Sequence, residues 1–134
     1  MSTHHKQHSP GFLALTADAK QHVQELNIEQ YNAQYLSGTP QEHILVDVRE
    51  DREWADGRAK GAIHLSRGII ERDIETMVPD KSKRIICYCG GGYRSALVAE
   101  SLGKMGYTDV WSLDGGWREW TAAGLPVEQP EQKA

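Results

Sequence analysis

Two cysteines, one phenylalanine and no apolar run longer than a few residues are what this 134-residue chain has least of. Two thiols cannot form the disulfide framework of a small secreted domain or a cysteine-rich zinc site. The six histidines show no paired-ligand spacing such as H-E-x-x-H, so no metal site is expected. FLAL (12–15) is too short for a signal-peptide core, and a bilayer span needs about 20 apolar residues. The cytoplasm is therefore the expected location, without membrane contact. A basic excess is missing too: the formal net charge is −4 at pH 7, which gives no electrostatic basis for nucleic-acid binding.

What remains is the composition of one ordinary globular domain, 39% hydrophobic and 25% charged. A chain of this length buries roughly two-thirds of the surface its unfolded form exposes, enough to fold without staples. Residues 1–15, with His4, His5 and His8, read as a flexible leader, 16–127 as the domain, and 128–134 as a flexible tail. Within the domain, a short helix is expected at 16–20, an edge strand at 22–26 and a helix at 28–36.

Four segments then read as strands covered on both faces: HILVDVR (43–49), GAIHLS (61–66), RIICYC (84–89) and DVWSL (109–113). Helical stretches at 51–55, 68–77, 96–105 and 117–123 separate or follow them. This alternation predicts an α/β domain, a central and mainly parallel sheet flanked by helices on both faces. Ligands of such sheets bind beyond the carboxyl ends of the strands, where Arg49, Ser66, Cys89 and Asp114 fall.

One such end carries CGGGYRS (89–95). Gly90, Gly91 and Gly92 allow positive φ and close approach, so consecutive N–H groups can converge on one centre. The following helix adds its dipole and free N–H groups, with Ser95 as the expected N-cap. Cys89 begins the loop, and a ring of N–H donors favours its thiolate, the nucleophilic form. Arg94 supplies a cation suited to an oxyanion. A plain turn needs one glycine or two, without cysteine, arginine and serine at these positions. Cys87, inside the apolar run, reads as core, and extended geometry is expected to turn it to the face opposite Cys89, which disfavours a disulfide.

The chain resembles the rhodanese superfamily in its single-domain sulfurtransferase form. The resemblance spans about residues 22–126 and rests on LVDVRE (45–50), Glu53-Trp54, GAIH (61–64), CGGGYRS, KMGY (104–107) and LDGGWREW (113–120) in that order. It implies a persulfide cycle that uses no metal and no organic cofactor. Cys89 takes the sulfane sulfur of thiosulfate or a similar small anionic donor, and cyanide, a thiol or a protein thiol accepts it. Gly90, Gly91, Gly92, Tyr93, Arg94 and Ser95 would then bind substrate, Asp47 and Arg49 would support the loop, and Arg67, Gly68 and Trp117 would line the pocket. Asp47 and Arg49 read equally well as a plain surface ion pair.

Two further readings stay open: a cysteine phosphatase or arsenate reductase, and a sulfur-carrying or binding module without turnover. The C-x4-R spacing from Cys89 to Arg94 is one residue shorter than the C-x5-R loop of the phosphatases, which suits one sulfur better than a phosphate tetrahedron. Mercaptopyruvate sulfurtransferases resemble C-G-[SA]-G-V-[TS] instead, so Tyr93-Arg94 argues for an inorganic donor. The chain departs from the family at GRAKGA (57–62), where G-H-I-P-G-A is usual; Arg58 and Lys60 are expected to face solvent.

Overall fold

The computed structural model describes residues 8–38 and 41–129, so His4 and His5 lie outside the described residues. Five parallel strands form the central sheet in the order β1-β6-β5-β2-β4: β1 (Gln24–Leu26), β2 (Ile44–Asp47), β4 (Ile63–His64), β5 (Ile85–Tyr88) and β6 (Val110–Leu113). Every pairing is parallel, as the near-continuous apolar strands predict, so all five carboxyl ends reach the same edge of the sheet. A separate antiparallel pair joins β3 (Arg58–Ala59) to β7 (Val127–Glu128).

Period-two alternation along the strands divides the core into two layers. Val46, Ile85, Cys87, Cys89 and Val110 pack on one face with Ile70 and Ile74 of α4 (Ile70–Met77) and Val98 and Leu102 of α5 (Tyr93–Lys104). Leu45, Ile86, Tyr88 and Leu113 pack on the other with Ile28 and Tyr31 of α2 (Ile28–Tyr31) and Trp120 of α6 (Gly116–Ala122). Each fully buried isoleucine here stabilises the fold by about 1.5–3 kcal/mol. The same alternation corrects one expectation: residues two apart share a face, so Cys87 and Cys89 lie in one layer, both as free thiols.

Three other expectations change. The first helix, α1 (Pro10–Lys20), begins six residues earlier than expected, at a proline on its first turn, and α1 packs on α5. The leader expected to reach residue 15 is therefore helical from Pro10. A π-helical turn, Asn32–Leu36, continues α2. Arg58 does not face solvent: it lies 4.5 Å over the Trp54 ring, in α3 (Asp51–Asp56), and 3.7 Å from Glu128, which ties the 57–62 departure to the small sheet. Lys60 is exposed.

Beneath the carboxyl edge lies a buried polar network. Asp47 is fully buried and Arg49 is 3% exposed. Arg49 Nε donates to both carboxylate oxygens at 3.0 Å, Nη2 donates to Oδ2 at 2.8 Å and to the Gly57 carbonyl at 2.6 Å, and the Tyr88 hydroxyl donates to Oδ2 at 2.6 Å. Burial and the Asp47 charge push the Tyr88 hydroxyl far up, so it stays a donor. Asp47 and Arg49 are thus a buried pair, not a surface one.

Asp47→Ala leaves Arg49 as an uncompensated buried charge and is expected to lower the unfolding free energy by about 3–5 kcal/mol. The measurement is the urea midpoint at constant slope; a loss under about 1 kcal/mol would contradict this account of the pair.

Candidate active site

Cys89 follows the last residue of β5, the middle strand, and its side chain is 1% exposed. The loop after it curls back on the sulfur. Gly92 N–H donates to Cys89 Sγ at 3.1 Å and Ser95 N–H does so at 3.4 Å, while Ser95 Oγ lies 3.6 Å from the sulfur. Only Gly92 of the three glycines adopts positive φ, at +101°, and it caps α5; Ser95, expected as the cap, is a buried residue inside the first turn. A side chain at Gly92 would be strained in backbone and would press on Gly115 N and the Asp114 Cα. Gly90 and Gly91 are not required by space: a Cβ at either would meet only ordinary contacts, 3.4 Å from Arg94 Nη2 and 3.6 Å from Arg118 Nη2, respectively.

The loop carbonyls point the other way, into the first turn of α6. Trp117 N–H donates to the Cys89 carbonyl at 2.7 Å and Arg118 N–H to the Gly90 carbonyl at 3.0 Å. Gly116, at φ +49°, permits this approach, since a Cβ there would overlap the Cys89 carbonyl. The two helices therefore hold the loop from both sides, α5 by N–H groups toward the sulfur and α6 by N–H groups toward the carbonyls.

Ser112, buried on β6, shares a 2.8 Å hydrogen bond with Ser95 Oγ and fixes that hydroxyl beside Cys89. Cys87 pairs in register with Ser112 but is closed to solvent. Burial, with the Cys89 charge second, pushes the Cys87 thiol up to about 12.

A cavity of about 890 Å³ opens over the loop, lined by Cys89, Gly90, Gly91, Tyr93, Arg94, Arg67 and Trp117 among the expected residues. Gly68 and Ser66 line a neighbouring hollow of about 760 Å³, which shares Arg67 and Arg94 with the first but lacks Cys89. Asp47 and Arg49 lie beneath the cavity rather than in its wall. Arg49 lies 4.7 Å from the centroid of the Trp117 ring and so braces a wall residue. Asp114, at the fourth strand end, lies outside the cavity and pairs with Lys20 at 3.7 Å.

Arg94 does not reach into the cavity alone. Its Nη1 donates to Glu53 Oε1 at 3.1 Å and its Nη2 to Oε2 at 3.4 Å, while Glu53 Oε1 also accepts the Glu50 N–H at 3.0 Å. Burial would raise the Glu53 carboxyl, but the Arg94 and Glu50 hydrogen bonds outweigh it and hold it below the usual carboxylate range. Burial likewise opposes the Arg94 charge, and Glu53, then the Cys89 charge, more than restore it.

Several residues in or behind the cavity wall escaped the sequence reading. His8 and Phe12 reach the cavity, with ring centroids 4.7 and 6.1 Å from Tyr93. The signal available was Ser9-Pro10 ahead of FLAL, a helix start. Ser112 was marked only by a serine inside an apolar strand, and Arg52 and Arg118 by nothing beyond their charge.

The Rhodanese-like domain model matches residues 27–123. Thiosulfate sulfurtransferase GlpE from Vibrio cholerae is 33% identical over 103 residues, covering 77% of this chain and 94% of that protein. Among solved structures, the 30 kDa polysulfide-sulfur transferase homodimer from Wolinella succinogenes is 26% identical at a TM-score of 0.74, with 91% of this chain and 90% of that one covered. A Rhodopseudomonas palustris protein of unknown function, named a possible tyrosine phosphatase, is 27% identical at 0.73, with 92% and 98% covered. The matched span contains the four strands of the central sheet after β1, the Cys89 loop and α6, and the chain belongs to the rhodanese-like domain family.

Proposed function

We propose that the protein is a sulfurtransferase that moves a sulfane sulfur from thiosulfate, or a similar small anionic donor, to cyanide or a thiol through a persulfide on Cys89. The observation that carries this reading is the pair of N–H groups, from Gly92 and Ser95, directed at Cys89 Sγ. Such preorganised donors stabilise negative charge on the attacking sulfur. Its relatives support the reading: the V. cholerae protein is named a thiosulfate sulfurtransferase and the W. succinogenes protein a polysulfide-sulfur transferase.

In the first half-reaction the Cys89 thiolate attacks the outer sulfur of thiosulfate. The new S–S bond forms as the bond to the sulfonate sulfur breaks, and sulfite leaves with that electron pair. In the second, cyanide attacks the terminal persulfide sulfur, thiocyanate departs and the thiolate returns. Charge balances in both halves, and neither needs a metal, an oxidant or a proton donor. A thiol, including a protein thiol, can replace cyanide as its thiolate. The chemistry requires a reduced Cys89, which the cytoplasm maintains.

No helix among the described residues is long and apolar enough to cross a membrane. Phosphoester hydrolysis is the second reading, favoured by the name of the R. palustris neighbour. The engagement of Arg94 by Glu53 weighs against it, because a bound phosphate would have to compete with that carboxylate.

Thiosulfate is expected to add the mass of one sulfur to the reduced protein, cyanide to remove it, and Cys89→Ser to abolish the gain while remaining folded. An unmodified mass beside turnover of para-nitrophenyl phosphate would replace this function with the second.

Iodoacetamide at pH 8 is expected to label the native protein once, at Cys89, and Cys87 only after unfolding, because the Cys87 thiol stays protonated and enclosed. Peptide mapping reads the result, and labelling of Cys87 in the folded protein would contradict it. Gly116→Ala is expected to lower kcat at least tenfold by forcing α6 off the loop carbonyls, measured as thiocyanate production.

A further inference from the structure

The cavity over Cys89 carries four guanidinium groups, from Arg52, Arg67, Arg94 and Arg118, and two carboxylates, from Glu50 and Glu53. The carboxylates are already engaged. Glu53 takes Arg94 at 3.1 Å, and Glu50 lies 3.4 Å from Arg52. Among the described residues, neither Arg67 nor Arg118 has a carboxylate at ion-pair distance. Two of the four cations are therefore balanced within the wall and two are not.

The unbalanced pair comes from different elements on either side of the Cys89 loop. Arg67 follows β4, and its N–H donates to the Val48 carbonyl at 2.9 Å, beyond the end of β2. Arg118 follows β6, and the bond from its N–H to the Gly90 carbonyl sets its register on the loop. In the strand order, β5 and its loop lie between the two. The position of Arg118 is close: its Nη2 would stand 3.6 Å from a Cβ at Gly91, at contact distance of the loop. Arg94, by contrast, already gives two of its five N–H donors to Glu53, which offsets its charge.

We infer that Arg67 and Arg118 are the residues that recognise the charge of the anionic donor in the Cys89 cavity, while Arg94, held by Glu53, is a positioning residue for the loop. The inference rests on the sulfurtransferase reading for the identity of the anion, and on the charge balance of the cavity for the residues. Two uncompensated guanidinium groups match a dianion such as thiosulfate, and they would retain the departing sulfite until it diffuses out. They act on encounter and binding, so their removal raises KM and leaves the sulfur-transfer step largely intact.

Two measurements on the full chain test this with Arg67→Gln, Arg118→Gln and Arg118→Lys. In thiocyanate production, each glutamine variant is expected to raise KM for thiosulfate about threefold to tenfold, with kcat within about twofold of wild type, and Arg118→Lys to recover part of the loss. The second measurement compares alkylation of Cys89 by iodoacetate, an anion, with alkylation by iodoacetamide, which is neutral. The ratio of the two rates is expected to fall about threefold in each glutamine variant and to lose its difference from wild type in high salt. A uniform slowing with both reagents would mark a structural role and overturn the inference, as would an unchanged ratio. If thiosulfate gives wild type no sulfur while the ratio falls in the variants, the assignment of the two arginines stands and the donor reading fails. If wild type turns over and Arg94→Gln alone raises KM, the sulfurtransferase reading stands and the assignment fails.

Discussion

The Trp117 and Arg118 N–H groups hold the carbonyls of Cys89 and Gly90 outward, and the pocket depends on that orientation. A peptide unit turned so that its carbonyl faces α6 presents its N–H to the opposite side. In these two units the inward N–H groups are those of Gly90 and Gly91, and the loop then continues to Gly92 and Ser95, whose N–H groups meet the sulfur. Gly116 is the condition for it, because only a residue without Cβ lets α6 approach the loop this closely. One pair of backbone bonds accordingly fixes the start of the loop and the placement of Arg118.

Under the loop, the Asp47–Arg49–Tyr88 network supplies rigidity without touching the sulfur. Removing two charges from water is costly, and here nearly every polar atom is compensated: the carboxylate takes the guanidinium, the Tyr88 hydroxyl and the Arg49 N–H. Tyr88 in turn accepts the Ala59 N–H, which ties β5 to the small β3–β7 sheet. Arg49 also stacks near Trp117, so the network links three strands to the wall of the cavity. Its arrangement explains why residues two places from a strand end can govern a loop on the neighbouring strand.

Much of this was legible in the sequence. The apolar strands, the alternation with helices and the glycine loop after RIICYC each have a local cause, and the structure places Cys89, Gly90, Gly91, Tyr93, Arg94, Arg67 and Trp117 around one cavity. The failures have causes too. The helix from Pro10 was hidden by its small hydrophobic asymmetry and a polar approach, and its stability comes from packing on α5. Arg58 was read from the average behaviour of arginine, whereas Trp54 and Glu128, distant in sequence, supply its surroundings.

By itself, then, the sequence determined the strands of the central sheet, the helices between them and the sulfur-bearing loop, because hydrophobic period, turn chemistry and glycine content act over a few neighbouring residues. Only the tertiary structure decided which charges are free. Arg94 and Arg118 look equally available along the chain, but Glu53 lies 41 positions from Arg94 and meets it across the fold. Electrostatic pairing depends on distance in space, and a one-dimensional pattern does not contain that distance.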